Sequence, residues 1–109
     1  MELTKQDLKT LKGLIRIGIL RRCKEWLAET SSLINKEFGE DENAFDRCME
    51  VTKRSKHYFK EAMARENFYR NSFIEIGIEN LLNEGYLTEE DFSECRKELS
   101  DYILSRHNR

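Results

Sequence analysis

The sequence predicts an all-α protein: a small up-and-down antiparallel bundle of three or four helices, with a long first helix and a C-terminal helical hairpin. Proline is absent, and charged residues make up 37% of the 109 residues, against about 25% in an average domain. Apolar residues recur at spacings of three, four and seven, and helix start and stop signals separate the apolar runs. We expect a single helical-bundle domain over residues 1–109.

The first helix is expected from about Lys5 to Glu37. Thr4 followed by Asp7 is typical of a helix start, and Gly39 is the predicted stop. Leu14 and Ile17 fall on the side opposite the main apolar face, so this helix meets several neighbours or another chain. The main face consists of Leu8, Leu11, Ile15, Ile19, Trp26 and Leu33, widened by Leu20, Cys23, Leu27 and Ile34.

A second helix is expected to start at Asp41 as N-cap. Two alternatives stand for residues 42–84. A capping box at Ser72 and Glu75 predicts a break and a third helix, whereas the absence of proline and glycine between Glu40 and Ile76 favours one continuous helix. The apolar face of the second helix consists of Phe45, Cys48, Met49, Thr52, Phe59, Ala62 and Met63.

The segment from Ser72 to Phe92 predicts a helical hairpin. Gly85 ends the apolar run, because glycine readily adopts the left-handed conformation that closes a helix. Thr88 is then the predicted N-cap of a last helix whose first turn is acidic. The apolar stripe expected on that last helix is Phe92, Cys95, Leu99, Tyr102 and Ile103.

The sequence GYLTEEDF of Gly85–Phe92 resembles the helix-turn-helix joint of the intervening-sequence proteins encoded within bacterial ribosomal RNA genes. Those proteins are four-helix bundles. The resemblance covers a small part of the chain and implies a helical bundle, without assigning a family.

The sequence predicts neither an enzyme nor a metal or cofactor site. Neither His57 nor His107 has a glutamate three residues before it, which is the spacing of metal sites in bundles. Three isolated cysteines and a net charge of −2, with no signal peptide or membrane-spanning run, predict a cytoplasmic protein with reduced thiols.

The function expected from this pattern is protein–protein interaction, with self-association as a homodimer. Apolar surface on Leu14, Ile17, Ile76, Leu104, Phe68 and Tyr69 exceeds what 109 residues readily bury. Two segments of the first and third helical runs share an I-x-I-G-I pattern, in which glycine would allow a close helix crossing. The predicted interface is Leu14, Ile17, Gly18, Phe73, Ile76 and Gly77.

Nucleic-acid binding is the alternative function. Basic side chains on the first two helices could pair with phosphates, and neighbouring aromatic rings could stack on bases. The net negative charge and the acidic segments at 37–50 and 71–101 disfavour nucleic-acid binding. The residues expected to contact nucleic acid are Arg16, Arg21, Arg22, Lys53, Arg54, Lys56 and Lys60.

Overall fold

The structure, a computed structural model, describes residues 1–71 and 73–108. In this part of the chain it has four helices and no strand, so the predicted all-α bundle with a long first helix is confirmed. The elements are α1 (Lys5–Asn35), α2 (Ala44–Asn71), α3 (Ile74–Asn83), a 3₁₀ turn (Glu89–Phe92) and α4 (Lys97–His107).

Helix α1 begins as its sequence predicts. The Asp7 amide donates to the Thr4 hydroxyl at 3.0 Å, and the Thr4 amide donates to the Asp7 carboxylate at 2.9 Å. The predicted stop at Gly39 is wrong, because α1 ends at Asn35 with Lys36 as its C-cap. The Arg47 guanidinium, from α2, binds the last carbonyls of α1 and so takes over the role expected of a glycine.

Helix α2 begins two residues later than predicted. Asn43 and Asp46 exchange the two hydrogen bonds of a helix cap, at 3.0 and 3.2 Å, so Asp41 is not the cap.

The alternative of two helices within residues 42–84 is the one observed, since α2 and α3 are separate elements. Ser72, the predicted cap of the third helix, lies outside the described residues, and Phe73 occupies the N-cap position of α3.

Helix α3 ends as predicted at Gly85, whose φ of +83° is in the left-handed region. The Tyr86 amide donates to the Leu81 carbonyl at 2.9 Å, and the Gly85 amide donates to Leu82 at 3.2 Å. These are the two hydrogen bonds of a Schellman motif.

The segment after Thr88 differs from the prediction. The Thr88–Asp91 capping box is present, but it starts only the 3₁₀ turn, and α4 begins nine residues after Thr88. Arg96 has extended backbone, and its guanidinium binds both carboxylate oxygens of Asp7, at 2.7 and 2.8 Å. This long-range ion pair holds the chain where a continuous helix would otherwise run.

The main core lies at one end of the molecule, which measures 57 × 24 × 22 Å. It joins the first half of α1 to α3, the 3₁₀ turn and α4, and α2 contributes Tyr69. The buried residues of α1 end at Ile19. Residues 24–35 and 44–57 therefore extend beyond the core as a two-helix projection, named the arm below.

Candidate interaction surface

Helices α1 and α2 form an antiparallel hairpin whose register is fixed by two contacts. The ring of Trp26 stacks on Tyr58, with 4.7 Å between centroids and 13° between planes. Nearer the core, Arg16 forms an ion pair with Glu66 at 3.2 Å. This register places Leu20 close to the level of Met63.

One side of the hairpin carries two rows of exposed apolar side chains, named the outer face. Their exposed fractions range from 40% to 71%. Residues 20, 27 and 34 lie seven apart on α1, and the pairs 45–59 and 49–63 lie two heptads apart on α2, as in helices that pack side by side. The outer face consists of Ile17, Leu20, Leu27 and Ile34 of α1 and Phe45, Met49, Phe59 and Met63 of α2.

The Arg16–Glu66 ion pair shows that both rows lie on the same side of the hairpin. Arg16 lies four residues before Leu20, and Glu66 lies three residues after Met63, so each charged residue shares a helix face with its row. The two rows therefore run alongside each other on one side of the hairpin.

Helix α3 covers the opposite side of the hairpin. Gly18 lies against Leu81 of α3, and Arg65 pairs with Glu84 at 2.8 Å. Gly18 and Leu20 are two residues apart, so in a helix with 3.6 residues per turn their side-chain directions differ by about 200°. The outer face consequently points away from the protein's own third and fourth helices.

The apolar face predicted for α2 is therefore not its packing face. Phe45, Met49, Phe59 and Met63 are exposed, and α2 instead turns Arg47, Tyr58 and Tyr69 inward. On α1, Leu20, Leu27 and Ile34, which were expected to widen the packing face, are exposed as well. Their seven-residue spacing does not separate them from the inward row, since Ile19, Trp26 and Leu33 are seven apart as well.

The six predicted interface residues divide into two groups. Leu14, Gly18 and Gly77 are buried within this chain, with Gly77 against the ring of Tyr69. Ile17, Phe73 and Ile76 are exposed, and of these only Ile17 belongs to the outer face.

The residues expected to be hard to bury are partly in the core. Leu14 and Tyr69 belong to it, and Leu104 is partly buried against it. The side chain of Phe68 lies outside the described part.

Most of the arginines predicted to contact nucleic acid are engaged within the protein. Arg21 binds both carboxylate oxygens of Asp91 at 2.7 and 2.8 Å, and this contact lowers the pKa of Asp91 to about 2. The guanidinium of Arg22 lies 5.1 Å from the centre of the Tyr58 ring, and Arg54 pairs with Glu50.

Lysines, in contrast, surround the outer face, and in the described part of the chain they form no ion pair. Within the described residues no carboxylate lies within 4 Å of them. Lys53 and Lys56 line a groove with Phe45 and Met49, and Lys9 and Lys12 lie beside Gly13 and Arg16. Lys24 lies between Leu20 and Leu27 on α1, and Lys60 follows Phe59 on α2. The outer face is therefore apolar along its rows and positively charged between and beside them.

A second, smaller groove of about 380 Å³ lies along the arm on the side of α3. Trp26, Leu33 and Tyr58 form its apolar floor, and its α2 edge carries Lys53, Arg54 and His57. The Tyr58 hydroxyl is buried beside Cys23, and burial raises the pKa of this tyrosine well above its ordinary value.

Arg47 joins the two helices at the tip of the arm. Its guanidinium donates to the Leu33 carbonyl at 2.8 Å and to the Lys36 carbonyl at 2.6 Å, and it lies 4.8 Å from the centre of the Phe38 ring. It also binds both oxygens of the Glu42 carboxylate and lowers the pKa of Glu42 to about 2. A cation at the negative end of α1 stabilises that end.

In the described part of the chain, no cluster of three or more His, Cys, Asp and Glu residues is arranged to hold a metal ion. None of the helices described here combines the length and apolarity needed to cross a membrane. Comparisons of the chain with protein families, curated proteins and solved structures give no match.

Proposed function

We propose that this protein is a non-enzymatic interaction module that associates with a second copy of itself through the outer face. The supporting observation is the pair of exposed apolar rows on the side of the hairpin turned away from α3. A helix normally buries its apolar stripe against another element, and here no element of the described chain covers these rows.

The size of the outer face fits a dimer interface. Its eight large side chains are on average a little over half exposed, which gives on the order of 900 Å² at roughly 200 Å² per large side chain. Stable interfaces bury about 800 Å² on each partner, whereas the largest apolar patch on a monomer is typically about 300–600 Å². Pairing two outer faces would make a four-helix layer with heptad-like packing.

The test is sedimentation equilibrium of the wild type and of a Leu27→Glu/Phe59→Glu variant. We expect a dimer for the wild type. The variant should weaken association at least about 30-fold, because charges placed at the centre of an apolar interface remove its main anchors. Both side chains are exposed in the single chain, so the helical circular dichroism should not change.

Ile76→Glu is the matched control, because Ile76 is comparably exposed but lies on α3, away from the outer face. It should leave the dimer intact. A monomeric wild type at about 100 μM, well above the micromolar range of weak specific dimers, would contradict the proposal. Loss of the dimer in the Ile76 variant alone would move the interface to the surface first predicted from the sequence.

Nucleic-acid binding is the second candidate, favoured by the exposed Phe59 ring between Lys56 and Lys60. Fluorescence anisotropy with a single-stranded oligonucleotide tests it, and affinity should fall steeply with salt if phosphates are bound. No binding at low salt would exclude it. The cytoplasmic location also stays a prediction, supported by the free thiols of all three cysteines.

A further inference from the structure

The lysines of the outer face would oppose the approach of a second copy. In a face-to-face dimer, Lys24 and Lys56 of one copy would lie near the same lysines of the other, since they occupy the middle of the two rows. Like charges brought together across an interface oppose association. The apolar rows of the outer face are therefore self-complementary, and its charges are not.

Two acidic side chains near the outer face are already paired with arginines. Glu66 is bound to Arg16 at 3.2 Å, and Glu50 is bound to Arg54 at 2.7 Å. The positive charge of Lys24, Lys53, Lys56 and Lys60 is therefore available to a ligand.

We infer that the outer face accepts an acidic amphipathic helix from a partner protein, which competes with the second copy for this surface. This inference rests on the proposed function, because it takes the outer face as the docking surface. The apolar stripe of such a helix would lie along the two rows, as an apolar helix face does in helix-in-groove complexes. Its flanking glutamates or aspartates would meet lysines of both α1 and α2.

The length of the outer face fits a helical ligand. The α1 row runs from Ile17 to Ile34, which at 1.5 Å per residue is about 25 Å of helix. A partner helix of about 20 residues spans this length with three heptads.

Salt distinguishes the two occupants because it acts on them in opposite directions. Raising ionic strength from about 50 to 500 mM shortens the Debye length from roughly 14 to 4 Å. Screening should weaken the complex with an acidic helix, in which opposite charges attract. The dimer should become tighter under the same change, since screening reduces the repulsion between lysines.

The test uses two designed peptides of about 20 residues that share the same leucine stripe and differ only in having glutamate or lysine on the flanks. Anisotropy with the full chain should show at least about tenfold tighter binding of the acidic peptide at low salt, with little difference at high salt. Sedimentation in the presence of saturating acidic peptide should show a 1:1 complex in place of the dimer.

Lys24→Glu/Lys56→Glu should abolish or reverse the preference for the acidic peptide. Lys36→Glu/Lys97→Glu, which has the same net charge but lies outside the outer face, should keep it. Equal binding of both peptides would overturn the inference, and so would a preference for the acidic peptide that survives Lys24→Glu/Lys56→Glu. Neither outcome would affect the proposed dimer, which is measured without peptide. Binding to anionic phosphatidylserine vesicles, with no discrimination between the peptides, would also overturn it.

Discussion

The glycines of this chain provide a test in which the same substitution should change stability in opposite directions. Glycine in a helix interior is normally less stable than alanine by about 0.5–1 kcal/mol, because its backbone loses more freedom on folding. At Gly13 an added methyl group would meet open space, with no atom within 4 Å. Gly13→Ala should therefore stabilise the fold by about that amount.

Gly77 is the opposite case. An added Cβ would lie 2.5 Å from Cγ and 2.7 Å from Cβ of Tyr69, and a side chain cannot move its own Cβ without moving the backbone. The ring is also held at its far end, since Asn80 donates to the Tyr69 hydroxyl at 3.3 Å. Overpacking of this kind costs about 1–3 kcal/mol, so Gly77→Ala should destabilise by up to about 2 kcal/mol after the helix gain.

Gly18 lies between these limits. Its added Cβ would meet the Leu81 methyl carbons at 2.9 and 3.1 Å, and a leucine end can rotate away. Urea unfolding followed by circular dichroism should order the stabilities as Gly13→Ala above wild type, Gly18→Ala close to it, and Gly77→Ala below it. For a domain of this size 1 kcal/mol corresponds to about 4–8 °C in Tm. A Gly77→Ala variant as stable as Gly13→Ala would refute the reasoning that the contact between Gly77 and Tyr69 leaves no room for a Cβ.

Three further predictions concern the ends of the helices. Arg47→Ala should speed amide exchange in the last turns of α1 at least about tenfold, because the carbonyls it caps lose their donor, whereas Arg54→Ala should not. Hydrogen bonds from Arg96 hold the pKa of Asp7 well below its usual range. The ion pair therefore makes its full contribution to the free energy of unfolding above about pH 4, and this contribution is lost as the pH falls further. The urea midpoint should therefore change less between pH 6 and pH 3 for Asp7→Asn than for the wild type. An equal change in both proteins would contradict this prediction. Gly85→Ala should lower the free energy of unfolding by about 1 kcal/mol, measured by the same urea titration, since its φ of +83° strains any residue with a Cβ.

The inward face of α2 shows why counting apolar residues did not find the core. Tyr58 and Tyr69 are partly polar by type, and Arg47 is charged, yet all three are buried because each finds a specific partner. Tyr58 stacks on Trp26, Tyr69 fits the space left by Gly77, and Arg47 binds carbonyls. Each of these partners lies on another helix, so periodicity along α2 alone could not reveal them.

What the sequence determined by itself is local. The cap at Thr4 and the stop at Gly85 depend on hydrogen bonds within a few residues, and both were predicted from residue type and spacing. At Thr88 the capping box was predicted, but the helix expected to follow it is only a 3₁₀ turn. The sequence also contained the apolar rows of both helices, with a seven-residue repeat on α1. Which of the rows packs and which stays exposed was decided by tertiary structure. The Arg96–Asp7 pair, 89 residues apart, and the fit of Tyr69 to Gly77 hold α3 and α4 on one side of the hairpin. The opposite side is thereby left as the outer face.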